Sequence, residues 1–174
     1  VINALTDLEH PCQALADFLT IKEEFGELQG KVLSYIGDGN NVANSLILCG
    51  ALLDVEVRIA CPKGYEPHPS VINKALKIYK NNNLLKVTND PYSAVKGANV
   101  LYTDVWSSMG QESKKAVKDK EFNGFTIDVD LLKRANKEAI VLHCLPAYRG
   151  KEISEEVMEA ENSRIFEQAE NRMH

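Results

Sequence analysis

The sequence predicts an α/β fold: a doubly wound, Rossmann-like, five-stranded parallel sheet with helices on both faces, in a single domain. Three observations predict it. Short apolar runs rich in Val, Ile and Leu recur along the chain and mostly lack strict alternation, as strands covered on both faces do. Segments with helical spacing separate these runs, which implies right-handed βαβ crossovers. The 174 residues, 44% apolar and 26% charged, suffice for one domain with a sizeable core.

A first helix is expected over residues 11–25. Ala14, Phe18, Ile21 and Phe25 lie on one face, Leu15 and Leu19 widen the stripe, and Gly26 supplies the stop. Strands are expected over residues 31–37, 56–61, 86–88, 99–105 and 139–144. Residues 42–53 are apolar nearly all round, as a helix wedged against a sheet would be. Residues 70–80 place Val71, Ile72, Ala75, Leu76 and Tyr79 at helical spacing, with His68 as the cap before them. Asp90-Pro91 reads as an N-cap and first-turn proline, with Gly97 ending a short helix. Residues 130–135 and 154–160 are further helices. Residues 107–125 are polar and read as a loop with a short helix. The strand order 3-2-1-4-5 brings the exits of strands one, four and five together at the switch point, where ligands bind.

Composition narrows the function. The net charge of −5, with no Lys/Arg block, argues against a nucleic-acid partner. No apolar run approaches the ~20 residues of a membrane span, and no signal-peptide pattern opens the chain. Cys12, Cys49, Cys61 and Cys144 lie far apart without a CxxC pair. They read as reduced thiols in a cytoplasmic protein without structural zinc. Both ends read as cut, as in an excised domain of a larger protein.

Three polar clusters sit at strand exits: Gly37-Asp38-Gly39-Asn40-Asn41, Asp104-Val105-Trp106-Ser107-Ser108-Met109-Gly110-Gln111-Glu112, and His143-Cys144-Leu145-Pro146-Ala147. Gly37-x-Gly39 invites a dinucleotide reading, but Val42 stands where a third glycine belongs, and Cys61-Pro62 provides no ribose-binding acid. The bland alternative is a tight strand-to-helix turn. In the sharper one, an Asn amide binds both the carboxylate and the amine of an amino acid, at a helix N-terminus that favours anions. Asp104 at a strand exit reads either as the cap of the next turn or, if buried and facing the crevice, as the partner of a substrate ammonium. His143 and Cys144 belong to opposite faces of one strand, so only one of them faces the crevice. The carbonyls of Cys144 and Leu145 are expected free of the ladder. His10-Pro11-x-Gln13 opens the first helix. Read blandly it is a cap and a solvated Gln; read functionally it offers a donor and an amide to a polarised carbonyl.

Together with Ala169-Glu170-Asn171-Arg172, these clusters resemble the ornithine-binding, C-terminal domain of ornithine carbamoyltransferase. The Ser-Met-Gly-Gln-Glu stretch is the most specific element. The resemblance implies carbamoyl transfer from carbamoyl phosphate to the side-chain amine of L-ornithine, giving citrulline and phosphate, without metal or organic cofactor. It assigns Asn41, Asp104, Ser108 and Met109 to the α-amino and α-carboxylate groups. It gives His10 and Gln13 the carbamoyl group, Cys144 and Leu145 the reacting centre, and Arg172 the carbamoyl oxygen. Of the asparagine pair, Asn41 is favoured by motif position. Residues 1–174 would be the amino-acid half. No Ser/Thr-Arg-Thr-Arg phosphate loop occurs in the sequence, so a separate N-terminal domain is expected to hold carbamoyl phosphate, and the chain alone to be inactive. The parent enzyme would be built on homotrimers. Putrescine or acetylornithine as substrate, a non-catalytic amino-acid-binding module and a nicotinamide-dependent oxidoreductase are the other readings.

Overall fold

The structure, a computed structural model, describes residues 2–106 and 115–174, for 115 and 116 the backbone alone. The five strands are β1 (Val32–Ile36), β2 (Glu56–Ala60), β3 (Leu85–Thr88), β4 (Val100–Thr103) and β5 (Ile140–His143). They form one parallel sheet in the order β3-β2-β1-β4-β5, as the alternation of strand and helix patterns predicts.

The eight helices are α1 (Pro11–Phe25), α2 (Asn41–Leu53), α3 (Pro69–Ile78), α4 (Pro91–Val95), α5 (Lys115–Glu121), α6 (Val129–Leu132), α7 (Glu155–Met158) and α8 (Ile165–Glu170), among the described residues. The expected caps form. Asp90 accepts from the Tyr92 N–H and His68 from the Ser70 N–H. Gly26 closes α1 at φ 76°. Of the hard stretch 107–125, residues 107–114 lie outside the described residues, and α5 is its helix.

Both sheet faces are covered. Leu33, Tyr35, Val57, Ile59, Val100, Tyr102, Ile140 and Leu142 point toward α1, α2 and α3, where they meet Phe18, Ile21, Leu46, Ile47 and Val71. Ile36, Ala60, Leu101 and Val141 point the other way, onto Val95, Phe122, Leu131, Ile153, Val157 and Ile165. The central and β5-side strands β1, β4 and β5 therefore read as nearly continuous apolar runs, whereas β2 and β3 carry Glu56, Arg58 and Lys86 toward the sheet edge.

One expected contact is corrected. Leu15 is 65% exposed and does not widen the buried stripe of α1. That helix buries two flanks instead. Ala14, Phe18 and Ile21 meet the sheet side, whereas Asp17 and Thr20 meet Gln168 and Asn171 at α8. Leu15 lies outside both.

Candidate active site

The sheet topology places the ends of β1, β4 and β5 side by side. The Asp104 carboxylate, one residue past β4 and buried, is where the three meet. Its Oδ2 accepts from Asn40 Nδ2 at 2.8 Å, and its Oδ1 from Cys144 Sγ at 3.0 Å and from the Val105 N–H at 2.7 Å. Segments 40 and 64 residues apart in sequence thus share one carboxylate. Burial, and then the charge of Asp104, push the Cys144 thiol well up. Cys144 is a neutral hydrogen-bond donor to the buried Asp104 carboxylate.

The asparagine pair divides its work. Asn40 caps α2, its Oδ1 accepting from the Val42 and Ala43 N–H groups at 3.0 and 3.2 Å, which turns its Nδ2 onto Asp104. Asn41 points to the neighbouring side of the helix mouth and donates to the Thr6 carbonyl at 2.9 Å. Asn40, rather than the favoured Asn41, is the member joined to Asp104.

The turn before them is tightly seated. A Cβ on Gly39 would lie 2.4 Å from Pro67 N and 2.5 Å from Tyr65 O, and the Gly39 N–H donates to that carbonyl at 2.8 Å. The glycine makes room for protein backbone, which favours the tight-turn reading of Gly37-x-Gly39 over the dinucleotide one. Asp38 is held by Lys118, whose Nζ lies 2.6 Å from Asp38 Oδ2 and 2.7 Å from the Trp106 carbonyl. Burial raises Asp38, against the pull of Lys118.

His143 and Cys144 do face opposite ways. The His143 ring accepts from the Leu145 N–H at Nδ1 (2.9 Å), so Nε2 carries the proton toward Glu152 Oε1 (3.2 Å). Glu152 Oε1 also accepts from the Tyr148 N–H at 2.5 Å. This buried pair clamps the segment that follows Cys144. Asp104, His143 and Cys144 present ligating atoms within 4.8 Å of one another, but each of these groups already has a protein partner. Leu145 adopts φ 58°, and no backbone N–H among the described residues donates to the Cys144 or Leu145 carbonyl.

His10 and Gln13 sit at the start of α1. The His10 N–H donates to Ser45 Oγ at 2.6 Å, and Nδ1 pairs with the Ala4 carbonyl at 2.9 Å. Burial, then the charge of Arg172, lower the His10 pKa and keep the ring neutral. Gln13 is buried, which removes the solvated-face reading. Its Oε1 accepts from Arg172 Nη1 at 2.7 Å, joining residues 159 apart. Ser108 and Met109 lie outside the described residues.

The chain is similar to known proteins over its whole length. The family model for "Aspartate/ornithine carbamoyltransferase, Asp/Orn binding domain" matches residues 29–174. The chain belongs to that family. An ornithine carbamoyltransferase of a Prochlorococcus marinus strain is 77% identical over all 174 residues, which span 56% of that protein. One from a Nostoc species is 57% identical, again over the whole chain and 57% of its length. Among solved structures, ornithine carbamoyltransferase from Gloeobacter violaceus superposes with TM-score 0.90 at 49% identity, covering 100% of this chain and 58% of that one. The Pyrococcus furiosus enzyme gives 0.93 at 45%, covering 98% and 55%. The chain thus spans about half the length of the family members it matches. No described helix is long and apolar enough to cross a membrane.

Sequence reasoning missed Asp17, Tyr102, Lys118, Glu152 and Gln168, which hold the site residues in place. Only the Gln13–Asp17 pair had a readable signal, two polar residues one helical turn apart on one flank of α1.

Proposed function

We propose that this chain is the ornithine-binding half of a cytoplasmic ornithine carbamoyltransferase, and that a separate domain of the same enzyme holds carbamoyl phosphate. The observation that carries this reading is the Asp104 carboxylate, fixed by Asn40 and Cys144 at the meeting point of three strand exits.

An alkyl ammonium with a pKa near ~10.4 is no nucleophile, and deprotonating it at pH 7 costs about 4–5 kcal/mol. Asp104 attracts and orders the amino-acid substrate. At ~4 Å and an effective dielectric of ~20, one such charge pair is worth ~4 kcal/mol before desolvation. The Cys144 thiol and the carbonyls of Cys144 and Leu145 line the reacting end, where they direct the amine N–H groups. Asn41 exchanges its Thr6 contact for the substrate's α-carboxylate, joined by Ser108 and Met109. The amine lone pair then attacks the carbamoyl carbon. The bond from that carbon to the phosphate oxygen breaks, phosphate leaves with the electron pair, and the amine proton is lost to a neighbouring base. Arg172 and Gln13 steady the carbamoyl group as charge builds on its oxygen. His10 reaches that oxygen as a donor by giving up Ala4. The parent enzyme is homotrimer-based in this reading.

Titration calorimetry on the full-length enzyme, with an unreactive analogue of carbamoyl phosphate present, tests it. Asp104→Asn is expected to weaken L-ornithine about 100-fold or more, in line with loss of a charge-paired contact, and an uncharged analogue far less. Equal loss for both ligands would reduce Asp104 to a structural role.

A further inference from the structure

Asp17 is buried in the middle of α1, and the reaction outlined above makes no use of it. Its Oδ1 accepts from Gln13 Nε2 at 2.8 Å and from Gln168 Nε2 at 2.6 Å. Its Oδ2 has no hydrogen-bond partner among the described residues. A carboxylate offers acceptors only, whereas a carboxamide has a donor end and an acceptor end. Asp17 therefore turns both amides the same way, nitrogen inward. A proton on Oδ2 leaves this unchanged, because Oδ1 still accepts.

The outward oxygen ends each have a specific partner. Gln13 Oε1 accepts from Arg172 Nη1 at 2.7 Å. Gln168 Oε1 accepts from the His143 N–H at 2.9 Å, one residue before Cys144. Gln168 Nε2 also donates to the Tyr102 hydroxyl at 3.1 Å, a group that lies against both Asp17 and Cys144. One carboxylate thus sets two branches. The first ends on the Arg172 guanidinium and the second at the end of β5. Reversal of either amide would set donor against donor at Asp17's neighbours and break the branch. Well-packed apolar side chains serve stability as well as or better than a buried polar network does, so stability alone gives little reason for an acid here.

We propose that Asp17 is a positioning residue that orients Gln13 and Arg172 toward the carbamoyl donor and, through Gln168, the end of β5 toward the amine. The inference rests on the carbamoyl-transfer reading above, and Asp17 touches neither reactant.

Steady-state kinetics and thermal melts of Asp17→Asn and Asp17→Leu, made in the full-length enzyme carrying this domain, test it. The Asn side chain keeps an acceptor at the Oδ1 position and the Leu side chain removes it. Asp17→Leu is expected to raise KM for carbamoyl phosphate and lower kcat, each about tenfold or more, as misplaced contacts do. Asp17→Asn should return both to within about threefold of wild type. Leu kinetics equal to wild type, or equal losses in both variants, would overturn the role. If Asp17→Leu does not fold, Gln168→Met carries the test, because it cuts only the β5 branch. It should raise KM for ornithine about fivefold and leave that for carbamoyl phosphate unchanged; no change in either overturns the proposal. A wild-type enzyme that forms no citrulline removes the underlying reading with it, whereas an active wild type with unaffected variants removes the positioning role alone.

Discussion

A carboxyl group without exposed surface favours its neutral form, because burial penalises the charge. At Asp17 burial outweighs the hydrogen bonds from Gln13 and Gln168 and the charge of Arg172, and the group is pushed up to about 7. The unfolded chain ionises it near 3.8, so the folded state holds the proton more tightly. Its contribution to stability is complete below 3.8 and is lost as pH rises to about 7, a swing of about 4 kcal/mol. Asp17→Asn should therefore melt higher than wild type at pH 8.5, with the gap closing toward pH 5. A gap independent of pH in melts across that range would count against the assignment. At this scale the sequence was readable where residues sit at strand exits: Asp104 and Cys144 converge because parallel strands end on one edge. The inward turn of Gln13 was not readable. Its i,i+4 spacing to Asp17 hints at that pair, but the burial is completed by Arg172, 159 residues away, and no local pattern reports such a contact.

Elements were legible to within one to three residues at most ends, because caps and apolar runs are local signals. Asp90, His68 and Gly26 each marked a terminus that the backbone adopts. Helix α8 was not among the helices expected from the sequence, since Ile165–Glu170 is short and exposes Phe166 while burying Gln168. Its register is set by α1 and β5 rather than by its own periodicity. The turn between β1 and α2 is the element whose packing tolerates least. Gly39→Ala would drive a methyl group into the backbone of residues 65–67, with contacts of 2.4–2.5 Å. A loss of about 2–3 kcal/mol is expected from such overpacking, read as a fall in the denaturant midpoint with unchanged slope. Because Asn40 follows in the same turn, ornithine affinity should fall as well. A variant as stable as wild type would mean that the turn yields more easily than its contacts imply.

At the scale of the molecule, strand order was the most secure inference. Right-handed crossovers and two covered faces leave few arrangements, and β3-β2-β1-β4-β5 is among the commonest. The edge where β1, β4 and β5 end followed from that order. What local patterning could not supply is the polar layer binding α1 to α8, which joins residues 140 to 159 apart. The proposed division of labour gives a further expectation. The 174-residue chain alone should form no measurable citrulline from ornithine and carbamoyl phosphate in a colorimetric assay, and the full-length enzyme should form it readily. Robust turnover by the short chain would overturn that division.

The bonds from Gln168 and Asn171 back to Asp17 and Thr20 have a temporal consequence for biosynthesis. Ribosomes add about 5–20 residues per second, so roughly eight to thirty seconds separate translation of α1 from that of the segment completing its polar flank. Throughout that interval the nascent polypeptide carries an acid destined for the interior beside side chains that do not yet enclose it. Helix α1 can dock early through its apolar side, but it locks only when α8 emerges.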